Sequence, residues 1–318
     1  MKFTLSAIAA GATLACACQL AHAQSTVTVT QQGNANTVSA EQVVPNPNDP
    51  SVPRAANATV IQIGNGNHAG GPGGRRAGIY QRDNVGTFAL IQQNGTANNA
   101  GVMQDGTRGF AARVEASITQ AGNANDATIR QHIVTSSPAI VEQTGSGNLA
   151  AVEQGGADMI VRTTQNGIGN RVTISQTGGP FGGSNVTQNG DGNTASVLTS
   201  NAGAPSGPAI VQNGTMNSAS TVQINTFGSS TSIQQQGAGN HADTDQAGGD
   251  NLIDINQNGS NNLASVSQAS PFESSPGNRA LIAQTGSSNS ATVRQVGQVY
   301  LADVRQVGSG NHTGVYQH

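Results

Sequence analysis

A Gln followed two residues later by Gly and five later by Asn recurs twelve times, with the first Gln at 31, 62, 93, 120, 143, 165, 188, 212, 235, 257, 284 and 306. A second Gln stands eleven residues after the first, as in Gln120 to Gln131, Gln143 to Gln154 and Gln257 to Gln268. Two copies depart from this: the insert Gly70-Gly71-Pro72-Gly73-Gly74 delays the second Gln to Gln81, and Thr199 replaces it in the seventh copy. Most copies are 22 to 24 residues apart, with Pro- and Gly-rich inserts near 43-57, 70-78 and 269-279. A unit this short cannot bury an apolar face by itself, so the copies must stack, with the inserts looping from one side.

Within a copy the period is two, which makes its elements strands. In the fourth copy Ala116, Ile118 and Gln120 share one face, Ser117, Thr119 and Ala121 the other, and Asn125, Ala127, Ile129 and Gln131 one face after the turn. The copy therefore reads strand, turn, strand: a β-arch. Gly33, Gly95, Gly122, Gly145 and Gly308 are turn glycines, able to take positive φ where the chain reverses, and Asn tolerates such corners. If Gln120 opposes Asn125, Ile118 opposes Ala127 and Ala116 opposes Ile129, large against small. The residue two before the first Gln is β-branched in every copy and its proposed partner is Ala in nine of the twelve. The sixth copy compensates, with Thr163 facing Val172, and the first breaks the rule with Val29 against Val38. Ile91, Ile118, Ile129, Val141, Val152, Ile282 and Val293 are the expected core.

One copy buries two large aliphatics at about 1.5 to 3 kcal/mol each, while ordering it costs about 1 to 2 kcal/mol per residue. Stacking makes up the difference, because the backbone groups of each copy pair with those above and below and the Gln and Asn amides form ladders. A charge at those positions would repeat every ~4.8 Å along the stack, which favours neutral amides there. The fold class that follows is all-β: a β-solenoid of twelve strand-turn-strand rungs, cross-β amyloid when polymerised.

Composition fits such an assembly and excludes others. Charged residues make up 9% and aromatics 3%, there is no Trp and the net charge is -3. That is far from an ordinary enzyme core, and the chain has no basic block to serve as an electrostatic footprint for nucleic acid. Residues 1-23 read as a signal peptide: Lys2 ahead of a short apolar stretch from Leu5 to Leu14, then Ala21-His22-Ala23 as the cleavage motif, with the mature chain starting at Gln24. Cys16 and Cys18, the only cysteines, leave with it. No later apolar run is long enough for an integral membrane segment. The repeats begin about three residues after the cleavage point and close at Gln317. Neither end carries a polar capping unit, so each presents a template for another chain. Head-to-tail growth, a contact that does not close on itself, is the expectation.

The run alternating apolar, Gln-x-Gly-x-x-Asn-x-Ala-x-apolar-x-Gln, intact in Gln93 to Gln104 and Gln284 to Gln295, resembles the curlin repeat of curli fibre subunits over nearly all of residues 24-318. The resemblance implies Sec-dependent export, passage through a dedicated outer-membrane secretion pore and polymerisation outside the cell. The product would be the amyloid of a biofilm matrix, a homopolymer that supports adhesion and cell aggregation. It also implies a nucleating curlin subunit as a partner, with Gln31, Asn36, Gln42, Gln306, Asn311 and Gln317 as the amide ladder at the growing faces. The chain departs from well-known members in having more copies and in reducing the Gly/Asn-rich segment ahead of the first to Gln24-Ser25-Thr26. Intact copies at 284-295 and 306-317 favour a major over a nucleating subunit.

Other candidates are weaker. Asp243, Asp245, Gly248 and Asp254 partly fit a calcium loop, but Ala247 holds a ligand position and the acids read as solvent-facing. His68, His241 and His312 each follow a motif Asn and read as outward turn residues. Arg75-Arg76 reads as a solvated loop. Catalytic motifs such as Gly-x-Ser-x-Gly or His-Glu-x-x-His are absent from the sequence, which points to a protein that is no enzyme and takes no cofactor or metal. The alternative is a monomeric β-solenoid adhesin or surface- or ice-binding module, which needs a regular outward array, whereas Thr119, Arg130, Glu142, Glu153 and Arg171 are irregular.

Overall fold

The computed structural model describes residues 2–10, 14–20, 23–43, 56–70, 78–82, 86–106, 114–180, 182–203, 207–271 and 277–318, and for 2–25 the course of the backbone alone. Most of the inserts at 43-57 and 70-78, the centre of that at 269-279, and Arg75 and Arg76 lie outside the described residues. Every regular element described is a β-strand, and parallel pairing of successive copies makes a β-solenoid of about ten turns. The chain divides into two compact units, Met1–Thr163 and Thr164–His318.

The first unit holds β1 (Lys2–Ala10), β2 (Leu14–Leu20), β3 (Ala23–Gln32), β4 (Asn34–Val43), β5 (Ala56–Asn65), β6 (His68–Ala69) and β7 (Ile79–Arg82). It continues with β8 (Thr87–Thr96), β9 (Asn99–Asp105), β10 (Val114–Asn123), β11 (Asp126–His132), β12 (Ala139–Ser146), β13 (Leu149–Gly155) and the start of β14 (Ile160–Ile168). Strands β3, β5, β8, β10 and β12 run parallel in one sheet. In the other, β4 is followed by β6 and β7, then by β9, β11 and β13. The 70-78 insert splits one strand into β6 and β7, and register resumes beyond it, with Gln81 between Gln42 and Gln104.

In the second unit one sheet is β15 (Arg171–Thr177), β17 (Thr194–Ser200), β19 (Ser218–Phe227), β21 (His241–Gly249), β23 (Leu263–Ala269), β25 (Ser290–Val296) and β27 (His312–Gln317). The other is β16 (Gly183–Asp191), β18 (Gly207–Thr215), β20 (Ser230–Ala238), β22 (Leu252–Ser260), β24 (Arg279–Ser287) and β26 (Leu301–Ser309). In both units the register places like on like: Ala116 lies between Ala89 and Ala139, and Gln120 between Gln93 and Gln143.

Burial follows the alternation in the sequence. Val114, Ala116, Ile118 and Gln120 on β10 and Asn125, Ala127, Ile129 and Gln131 around β11 are all buried. So are Ile91, Val141, Val152, Ile282 and Val293. The core is a thin layer of branched aliphatics and alanines bounded by buried amides, while the outward positions are mixed, with Arg130, Glu142 and Glu153 beside exposed Ile160 and Leu198. Thr163 is buried too, and its hydroxyl has no partner.

One segment departs from the reading of the sequence. Residues 2–10 and 14–20, read there as an address without a place in the fold, are strands in the full chain. β1 pairs antiparallel with β4 and β2 antiparallel with β3. The edge of the first arch, expected to be bare, is thus covered. The physical reason is that an unpaired edge accepts any extended segment, and the leader is the nearest one along the chain.

Candidate functional site: amide ladders and the edges of the stack

The first Gln of each copy is buried, and within each unit these side chains form a hydrogen-bonded column along the stack. Gln31 Nε2 donates to Gln62 Oε1 at 2.7 Å, Gln62 to Gln93 at 2.8 Å, Gln93 to Gln120 at 2.9 Å and Gln120 to Gln143 at 2.8 Å. The second unit repeats this from Gln165 through Gln188, Gln212, Gln235, Gln257 and Gln284 to Gln306, at 2.7 to 2.9 Å. The second Gln forms a parallel column: Gln42 to Gln81, Gln104, Gln131 and Gln154 in one unit, Gln223 to Gln246, Gln268, Gln295 and Gln317 in the other. In each bond the earlier residue is the donor and the later one the acceptor. The columns therefore have a direction.

The motif asparagines from Asn36 to Asn289 are buried as well, and they tie backbone to backbone. Asn125 Nδ2 donates to the carbonyl of Gly145 at 3.0 Å, while its Oδ1 accepts from the backbone N–H and the Nδ2 of Asn148. Asn36 Nδ2 donates likewise to the Gly64 carbonyl, and Asn289 Nδ2 to that of Gly308. Neither charge nor apolar bulk could serve here, because a buried donor and acceptor must both be filled at each level.

Gly95, Gly122, Gly145 and Gly308 stand inside the first strand of their arches, ahead of the corner, and Gly33 directly follows β3. Gly33, Gly95, Gly122, Gly145 and Gly308 all have positive φ, between +106° and +130°. The corner falls two residues later, where Ala35, Ala97, Ala124 and Gly147 take the left-handed conformation. A Cβ on Gly122 would lie 2.0 Å from the carbonyl oxygen of Gly145. The column thus needs glycine for close approach of successive copies as well as for the turn, and repetition at equal spacing was the sequence signal for it.

At the edge beyond Gln31, the Oε1 is buried and has no hydrogen-bond partner among the described residues. At the other edge, Gln306 Nε2 turns to the Ser290 carbonyl and Thr313 Oγ1, and Gln317 Nε2 to the Leu301 carbonyl. Asn311 there is exposed, with Nδ2 on Asn289 Oδ1 and the Val307 carbonyl. Among the described residues no strand lies on the outer edges of β26 and β27, and Val299, Leu301, Val307 and Tyr316 are exposed around them.

Of the expected cleavage residues, Ala21 lies outside the described residues, and Ala23 and Gln24 open β3. His68, His241 and His312 open β6, β21 and β27 and stand in separate copies, at strand starts instead of turns. His241 Nε2 lies 2.7 Å from Asp243, Asp245 is exposed on the same strand and Asp254 faces out from β22. Among the described residues no group of three or more metal-ligating side chains occurs and no helix is long and apolar enough to cross a membrane. Sequence reasoning missed the exposed cross-copy pair of Arg82 with Asp105, 2.5 Å apart, because the 70-78 insert upstream of Arg82 shifts it out of the regular spacing and the register that sets it beside Asp105 is seen only in the structure. No curated protein matches the chain. Residues 277–297, which hold β24, its arch and β25, match the family model of the curlin associated repeat, so this segment is similar to the repeat of a structural, non-enzymatic family.

Proposed function

We propose that residues 24-318 are an exported structural subunit of twelve rungs that polymerises head to tail into extracellular, curli-like amyloid fibres of a biofilm matrix, supporting adhesion and cell aggregation. The observation that carries this reading is the direction of the Gln columns. An unfilled acceptor, Gln31 Oε1, marks one end, and a donor that has no Gln ahead of it, Gln306 Nε2, marks the other. A second copy stacked in register joins donor to acceptor, whereas two like ends would set acceptor against acceptor. Each amide bond restored contributes about 0.5 to 1.5 kcal/mol, and the pairing of two whole strands per contact adds to it.

The curlin repeat at 277–297 supports the same reading, since that family forms extracellular fibres. On it, residues 1-23 direct Sec export and are cut after Ala23, and the partners are other copies of the chain, a nucleating curlin subunit and an outer-membrane secretion pore. The test is to prepare residues 24-318 without denaturant and follow dye binding, electron microscopy and fibre diffraction. Fibres with strands perpendicular to their axis, spaced ~4.8 Å, are expected. A folded monomer that stays monomeric at high concentration contradicts the proposal and favours a solenoid adhesin.

A further inference from the structure

The leader strands meet the first arch at the positions where the amide columns end. In the antiparallel register Leu14 stands beside Gln31, Phe3 beside Gln42 and Ala9 beside Asn36. None of the three has a side-chain donor or acceptor, so the backbone edge is paired while the ladders are not continued. Gln31 Oε1 is accordingly buried and unpartnered. An arch of a second copy would present Gln, Gln and Asn at the same places, since parallel in-register pairing repeats them at every level within both units. The leader therefore closes this edge sterically with a poorer partner than another copy, because a buried acceptor left unfilled destabilises the contact.

Resting on the polymerisation proposed above, we infer that residues 2–20 are a one-sided end cap. While the leader is attached, the edge of β3 and β4 cannot accept a second copy, but the edge of β26 and β27 can still be accepted by one. The precursor can join the first-arch end of a fibre and then offers that end no further edge. Removal of the leader opens β3 and β4 and makes growth continuous. The same segment that addresses the chain for export thus keeps it from growing before export.

The experiment uses immobilised fibres of residues 24-318, labelled monomers of the same chain, and the full chain 1-318 kept reduced, with both fibre ends watched by microscopy. The full chain alone is expected not to elongate beyond single additions. In substoichiometric amounts it should stop growth at one end of each fibre and leave the other growing. A full chain carrying Ala7→Pro, Ile8→Pro, Cys16→Pro and Ala17→Pro should elongate again, because one of any two adjacent residues donates towards the neighbouring strand and proline removes that donor. Elongation by 1-318 at the rate of 24-318, arrest of both ends or of neither, or no recovery in the proline variant overturns the inference. Failure of 24-318 itself to form fibres contradicts the polymerisation reading instead, so the two failures are distinct.

Discussion

Thr199 shows what one residue does in a column of amides. It stands between Gln176 and Gln223 in register and is buried, but its hydroxyl has no partner, nor does Gln223 Oε1. Gln176 Nε2, deprived of a Gln to meet, turns to Ser184 Oγ at 2.6 Å. Thr199→Gln is expected to restore the two missing bonds and raise stability by about 1 to 3 kcal/mol, read from slowed hydrogen exchange across β15, β17 and β19. Asp126 is a second local cost. Burial raises its pKa above the ordinary 3.8, against the opposing hydrogen bond from Asn99 Nδ2 at 2.9 Å. A raised folded pKa means that the stability this acid contributes is full below its unfolded value and is lost as pH rises through the folded one. Asp126→Asn should therefore remove that decline, so that urea midpoints of variant and wild type diverge in the variant's favour from about pH 4 upwards. The Thr for Gln exchange was plain in the sequence. That it leaves two buried oxygens unfilled was not, because a neighbour's rotamer decides it.

At the scale of the arch, the glycine of the motif and the glycine of the corner look alike in sequence but differ in what surrounds them. A Cβ on Gly122 meets the Gly145 carbonyl at 2.0 Å, whereas one on Gly147 meets nothing within 4 Å. Gly122→Ala is expected to cost about 4 kcal/mol or more, and Gly147→Ala about 1 kcal/mol, since alanine already occupies the corner at 35, 97 and 124. Hydrogen exchange of β10 and β12 in the two variants checks this. Strand type, facing and core were legible in the alternation, as Ile118 and Ala127 illustrate, because inward and outward positions differ in polarity throughout. The leader strands were not, since the composition of residues 2–20 points to an address and says nothing of which edge they meet in the full chain. The split of β6 from β7 was legible only as a delayed Gln81.

At the scale of the whole chain, the ladders of each unit run from earlier copy to later, so the edge of the first arch and the edge of the last differ in what they offer. The sequence reading expected two bare ends; the full chain covers one of them with its leader and leaves the edge of β26 and β27 unpaired among the described residues. Gly308 lies on that edge, and a Cβ there would have Asn311 Nδ2 at 3.7 Å as its nearest neighbour, while one on Gly286 would strike the Gly308 carbonyl at 2.0 Å. If a second copy stacks in register on this edge, Gly308 acquires the same close carbonyl. The measurement that bears most directly on the account is elongation of residues 24-318 carrying Gly308→Ala, with Gly310→Ala, at an open corner, as the control. A monomer protected from hydrogen exchange up to β25 that forms no fibres, beside a control that does, is predicted; fibre growth of the Gly308→Ala chain at the rate of the unaltered one would contradict it.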